Sequence, residues 1–121
     1  MFMAGVVFCV AGCSQDPGED LRSRLYGVWR TDAAQYRKAA LEIQPDRIRF
    51  RRIDGTLEEN TIVDMALTGR DDIGATLRIT YRGPTGDESV LDLLLVTGKE
   101  ETFLLFANQN HLIWKKSDRA L

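Results

Sequence analysis

The stretch Ala75-Thr76-Leu77-Arg78-Ile79-Thr80-Tyr81-Arg82, followed by Gly83-Pro84-Thr85-Gly86, decides the fold class. Leu77, Ile79 and Tyr81 alternate with Arg78, Thr80 and Arg82. Side chains of an extended chain point to opposite faces in turn, so this spacing places an apolar set against a core and a polar set in water. The Gly-Pro-Thr-Gly run is turn chemistry and ends the strand. The same rhythm continues upstream. Leu57–Leu67 puts Val63, Met65 and Leu67 on one face, and Arg47–Ile53 sets Ile48 and Phe50 against Arg47, Arg49 and Arg51. Between them Asp54-Gly55 is a strong hairpin signal. Leu25–Thr31 and Leu41-Glu42-Ile43 are shorter strands, the second stopped by Pro45-Asp46. Downstream come Ser89–Thr97, Thr102–Ala107 and His111–Lys116, separated by Gly98-Lys99-Glu100 and Asn108-Gln109-Asn110. Short strands at this spacing predict an all-β fold: a small antiparallel meander barrel of about eight strands. One segment reads two ways. Asp32-Ala33-Ala34-Gln35 has the form of a capping box opening one short helix near 33–40, whereas Tyr36 and the alternation at Leu41 favour a strand starting nearby.

Composition narrows the function classes. The chain has 121 residues, 44% hydrophobic and 28% charged, which suits one globular domain. Sixteen Lys and Arg against eighteen Asp and Glu give a net charge of −2, without the basic excess that nucleic-acid binding requires. The two cysteines, Cys9 and Cys13, both fall in the apolar N-terminal stretch. The rest of the chain therefore has no thiol for a disulfide, a zinc site or a nucleophile.

That stretch, residues 1–13, carries no charge before Asp16. It is shorter than the roughly 20 apolar residues needed to span a bilayer, and has the length of a signal h-region. Its end, Val10-Ala11-Gly12-Cys13, resembles the lipobox of bacterial lipoproteins. The resemblance implies a signal peptide over 1–12, cleavage between Gly12 and Cys13, and a diacylglyceryl group on the Cys13 thiol with further acylation of the new amine. It implies a membrane partner through that lipid and a place in the cell envelope. Ser14 matches the outer-membrane sorting class, hence the periplasmic face of the outer membrane if the bacterium has two membranes. The chain departs from the signal pattern in having no Lys or Arg before Arg22, which places the true start upstream of Met1. Residues 13–24 then read as lipidated Cys and tether, with Asp20 capping a turn that carries Leu21 and Leu25. Residues 25–116 form the barrel and 117–121 a polar tail.

Gly27-Val28-Trp29 at the first strand resembles the G-x-W signature of lipocalins. In that family the Trp closes one end of an eight-stranded barrel and a basic side chain from the last strand packs across it. The resemblance implies barrel-closing roles for Gly27, Trp29 and one of the adjacent Lys115 and Lys116, with Lys115 as the expected partner. The chain is shorter than typical lipocalins and lacks a clear late helix.

Two further groups stand out. Arg47, Arg49 and Arg51 form a ladder that could contact an anion such as a lipid phosphate, or could be an ion-paired outer face. A two-residue turn at Asp54-Gly55 sets Arg51 opposite Glu58, and a four-residue loop sets Arg52 opposite Glu59. Residues 90–106 are apolar on both faces, which points to a partner surface at Leu94, Leu104 and Phe106 for a second copy or another envelope protein. Catalysis finds little support. His111 is the only histidine and is placed in a turn, no nucleophile motif is present, and Asp71-Asp72 lacks metal-ligand spacing. No cofactor or metal is expected. The expected function is a non-catalytic envelope lipoprotein that binds a small apolar ligand or another envelope component. The alternative is a protein-interaction module, such as an enzyme inhibitor or assembly factor, working through surface loops. A barrel of about eight strands can be filled by side chains or hold one small ligand, so the state of its interior separates the two.

Overall fold

In the computed structural model, which describes residues 18–98 and 101–121, helix α1 (Gly18–Leu25) leads into eight strands. These are β1 (Gly27–Thr31), β2 (Ala40–Ile43), β3 (Arg47–Arg51), β4 (Leu57–Arg70), β5 (Gly74–Arg82), β6 (Glu88–Thr97), β7 (Thr102–Phe106) and β8 (Gln109–Ser117). Each pairs antiparallel with the next, and β8 pairs with β1 to close the barrel. Closure leaves no edge strand with unpaired backbone groups. The signal segment and lipobox read from residues 1–13 lie outside the described residues. Among the described residues no helix is long and apolar enough to cross a membrane.

The alternation in β5 carries through: Leu77 and Ile79 are fully buried, while Arg78 faces out and pairs with Asp92 of β6 at 2.8 Å. The inner face of the lower barrel is filled by Ile43, Ile48, Leu77, Leu95 and Leu104. An isolated eight-residue helix is marginal in water. Helix α1 persists because Leu21 and Leu25 are buried in that core, and its acidic first turn and basic last turn suit the helix dipole. Residues 18–24 are thus part of the folded unit and not a tether, and Asp20 lies inside the first turn and not at its cap.

Several expectations are corrected by register. β4 carries a bulge between Ile62 and Asp64, so the extra residue Val63 is half exposed, while Ile62, Met65 and Leu67 pack on the core. The β3–β4 connection matches neither two nor four residues. Arg51 lies opposite Leu57 and Phe50 opposite Glu58. Arg52 N–H donates to Thr56 O, Gly55 N–H donates to Arg52 O, and Gly55 takes φ +91°, which makes a turn with a glycine bulge after it. The helix considered near 33–40 shrinks to one 3₁₀ turn, Ala34–Tyr36, whose cap residue is Ala33 with no side-chain cap bond. His111 sits in β8, exposed, and not in a turn.

The apolar surplus of β6 and β7 also sorts differently from the expectation. Leu104 is fully buried and Phe106 packs against the core, so neither can form an outward partner surface. Leu94 is half-buried and pairs with Leu105. The alternation puts Leu95 and Leu104 inside, and therefore Leu94 and Leu105 outside.

Candidate ligand-binding site

The two ends of the barrel are built differently. At the closed end, Gly27 adopts φ +132°, a conformation that side chains with a Cβ rarely take. A Cβ there would also meet the Lys116 side chain at 3.3 Å. Trp29 is fully buried, and its indole N–H donates to Leu25 O at 2.9 Å, which satisfies a carbonyl at the helix C-terminus. The Lys116 ammonium lies 5.0 Å from the Trp29 ring centre and donates to Arg24 O at 2.5 Å and Tyr26 O at 2.7 Å. Burial holds its pKa below the ordinary lysine value. The basic side chain across Trp29 is therefore Lys116 and not Lys115. Successive β8 residues face opposite sides, and Lys115 turns outward over Phe103, 5.9 Å from the ring centre.

At the opposite end the barrel holds a cavity of about 660 Å³ open at the rim. It is bounded by the 3₁₀ turn, the β3–β4 hairpin, and the inward residues near the ends of β5, β7 and β8. Its wall is aromatic. Phe50 and Tyr81 lie 5.5 Å apart at 53°, Phe106 and Trp114 5.2 Å apart at 34°, and Tyr36 and Trp114 6.3 Å apart at 58°. Ala39 and Leu41 complete the apolar lining. The size is that of a pocket for a small organic molecule. Four charged groups also line it, Arg51, Arg52, Asp54 and Glu58. Arg52 is paired with Glu58. Asp54 accepts from both the N–H and the hydroxyl of Thr56, which with the nearby Arg52 holds its carboxyl below the usual range. The Tyr36 and Tyr81 hydroxyls and the Gln109 amide have no hydrogen-bond partner among the described residues. Among the described residues the Trp114 indole N–H in the cavity wall is buried without a partner, as are Asn60 Oδ1 and Arg30 Nε away from the cavity. Ile53 and Leu57, on and beside the rim hairpin, are 54% and 45% exposed.

The arginine ladder of β3 is largely consumed by neighbours. Arg47 pairs with Glu59 at 3.2 Å, and Arg49 donates from Nε to Glu42 at 2.6 Å. Arg51 donates to Gly55 O at 2.8 Å and to Leu121 O at 3.1 Å. Arg30 donates to Ala120 O at 2.9 Å, so the polar tail is tied back to the barrel. Among the described residues no three His, Cys, Asp or Glu side chains converge as a metal site.

Of the residues that line the cavity, the sequence named Arg51 as an anion contact and Phe106 as part of a partner surface, and none as the wall of a small-molecule pocket. Phe50 and Tyr81 were legible as inward strand positions near turns. Tyr36 was not, because a 3₁₀ turn has no periodic signature long enough to read. Comparison with protein-family models, curated proteins and solved structures gave no match for this chain.

Proposed function

We propose that this protein is a non-catalytic, lipid-anchored envelope barrel that binds a small apolar molecule in the cavity at its open end. The cavity carries the proposal. A barrel of this strand number can be filled completely, and here the closed half is filled while the other half is left open and walled with rings. The closing group of Gly27, Trp29 and Lys116 supports the lipocalin resemblance. The lipobox resemblance supplies the address. Helix α1, the first described element after Cys13, packs on the core beside the closing group and not at the open end.

The binding test is a titration with N-phenyl-1-naphthylamine, an uncharged probe whose fluorescence rises in apolar surroundings. Saturable binding by the wild type, lost in Ala39→Trp with an unchanged melting curve, is the expected result. A wild type without saturable binding overturns the reading. For the address, Cys13→Ser should abolish incorporation of a radiolabelled fatty acid. Equal label in wild type and variant removes the anchor. A second reading, in which the rim docks on another envelope protein, is favoured by the exposed Ile53 and Leu57.

A further inference from the structure

We propose that the cavity selects uncharged, ring-bearing molecules with hydroxyl or carbonyl groups, and discriminates against anionic lipids of similar size. The proposal rests on the cavity being a binding site and names its ligand class.

Three observations carry it. First, the charges at the mouth balance: Arg51 and Arg52 stand against Asp54 and Glu58. They are also occupied. Arg52 holds Glu58, Asp54 holds Thr56, and both terminal nitrogens of Arg51 are given to backbone carbonyls. A carboxylate or sulfate entering here would lose its water and meet a mouth whose side-chain charges cancel and whose arginine N–H groups are already engaged, which is the costly way to bury an ion. Second, the groups left without partners are neutral. The Tyr36 and Tyr81 hydroxyls can each donate and accept, and the Gln109 amide can do both. These match hydroxyl and carbonyl groups on a ligand. Third, the wall is made of tilted rings at 53° and 58°, which leaves faces and edges for another ring. Aromatic pairs favour offset and edge-to-face contacts, so a flat rigid body gains more here than a flexible alkyl chain that must be ordered on entry.

The test uses two probes that share one ring frame, on the full chain, with Ala39→Trp as the blocked reference. N-phenyl-1-naphthylamine is uncharged, and 1-anilinonaphthalene-8-sulfonate adds a sulfonate. The uncharged probe should bind at least about tenfold more tightly, and dodecanoate should fail to displace it. In the Tyr36→Phe, Tyr81→Phe double variant, 2-naphthol should bind more weakly while naphthalene is unaffected. Equal or tighter binding of the sulfonate, displacement by dodecanoate, or equal losses for naphthol and naphthalene overturns the ligand class and leaves the cavity as a binding site. Absence of saturable binding by the uncharged probe overturns both.

Discussion

Trp29 and Trp114 are both buried inside the same barrel, and almost everything around them differs. Trp29 is fully buried, its N–H is satisfied by Leu25 O, and a lysine ammonium sits on its ring. Trp114 is 4% exposed, its N–H has no acceptor among the described residues, and it shares a wall with Phe106 and Tyr36 beside open space. The contrast extends beyond these two residues. At the closed end the polar groups of helix, Trp and Lys satisfy one another. At the open end the Trp114 N–H is left unpaired among the described residues, and Asn60 Oδ1 and Arg30 Nε are buried without partners elsewhere in the barrel. Buried polar groups are normally paired, and the places where a protein breaks that rule tend to be functional. One end is built for stability, and the other leaves bonding capacity unspent.

The largest test of that comparison is truncation. Trp29→Ala should cost about 3–5 kcal/mol, the range for emptying a packed aromatic site. Trp114→Ala should cost distinctly less, because part of its ring already borders a void. Chemical denaturation of both variants measures this. Equal losses would mean that the ends do not differ in packing.

The closed end was the more legible of the two in the sequence. Gly27 and Trp29 sit two positions apart on a readable strand, and a positive-φ glycine has a physical signature that survives in sequence. The choice of lysine was not readable. Lys115 and Lys116 are adjacent, and inside versus outside depends on the β8 register, which only the pairing of Trp29 with Lys116 fixes. The same parity misplaced Leu104, read as outward and found fully buried. A bulge at Val63 and a five-residue connection after β3 shifted two more registers. Strand existence follows from alternation, whereas register follows from turn geometry that a sequence specifies weakly. The open end was nearly invisible, since a cavity is a lack of side chains and has no residue signal of its own.

The next effect is smaller and probes how the closed end is sealed. Gly27→Ala imposes a left-handed backbone on a residue with a Cβ and presses on Lys116 at 3.3 Å. Strain of this kind costs on the order of 1–3 kcal/mol. Lys116→Met should fall in the same range, about 1–3 kcal/mol, because it strands the Arg24 and Tyr26 carbonyls that the ammonium now satisfies. Neither change should alter binding of the uncharged probe at the other end. A loss of probe binding in Lys116→Met with the fold intact would show that the two ends are coupled.

The smallest expected effect is the most discriminating. Trp114→Phe deletes a buried N–H that has no acceptor and also removes ring volume beside a cavity. Deleting an unsatisfied donor recovers its desolvation cost, about 1–3 kcal/mol, and the lost contacts offset that gain. The net change in stability should stay within about 1 kcal/mol. Trp29→Phe makes the same chemical change where the N–H is bonded to Leu25 O, so it leaves a helix carbonyl unsatisfied and weakens the lysine contact. It should cost more, about 1–3 kcal/mol. Denaturant midpoints of the two Phe variants, measured side by side, separate the ends without a cavity large enough to confuse the reading. If Trp114→Phe loses as much as Trp29→Phe, the Trp114 N–H is satisfied in solution and the open end has no unspent donor there.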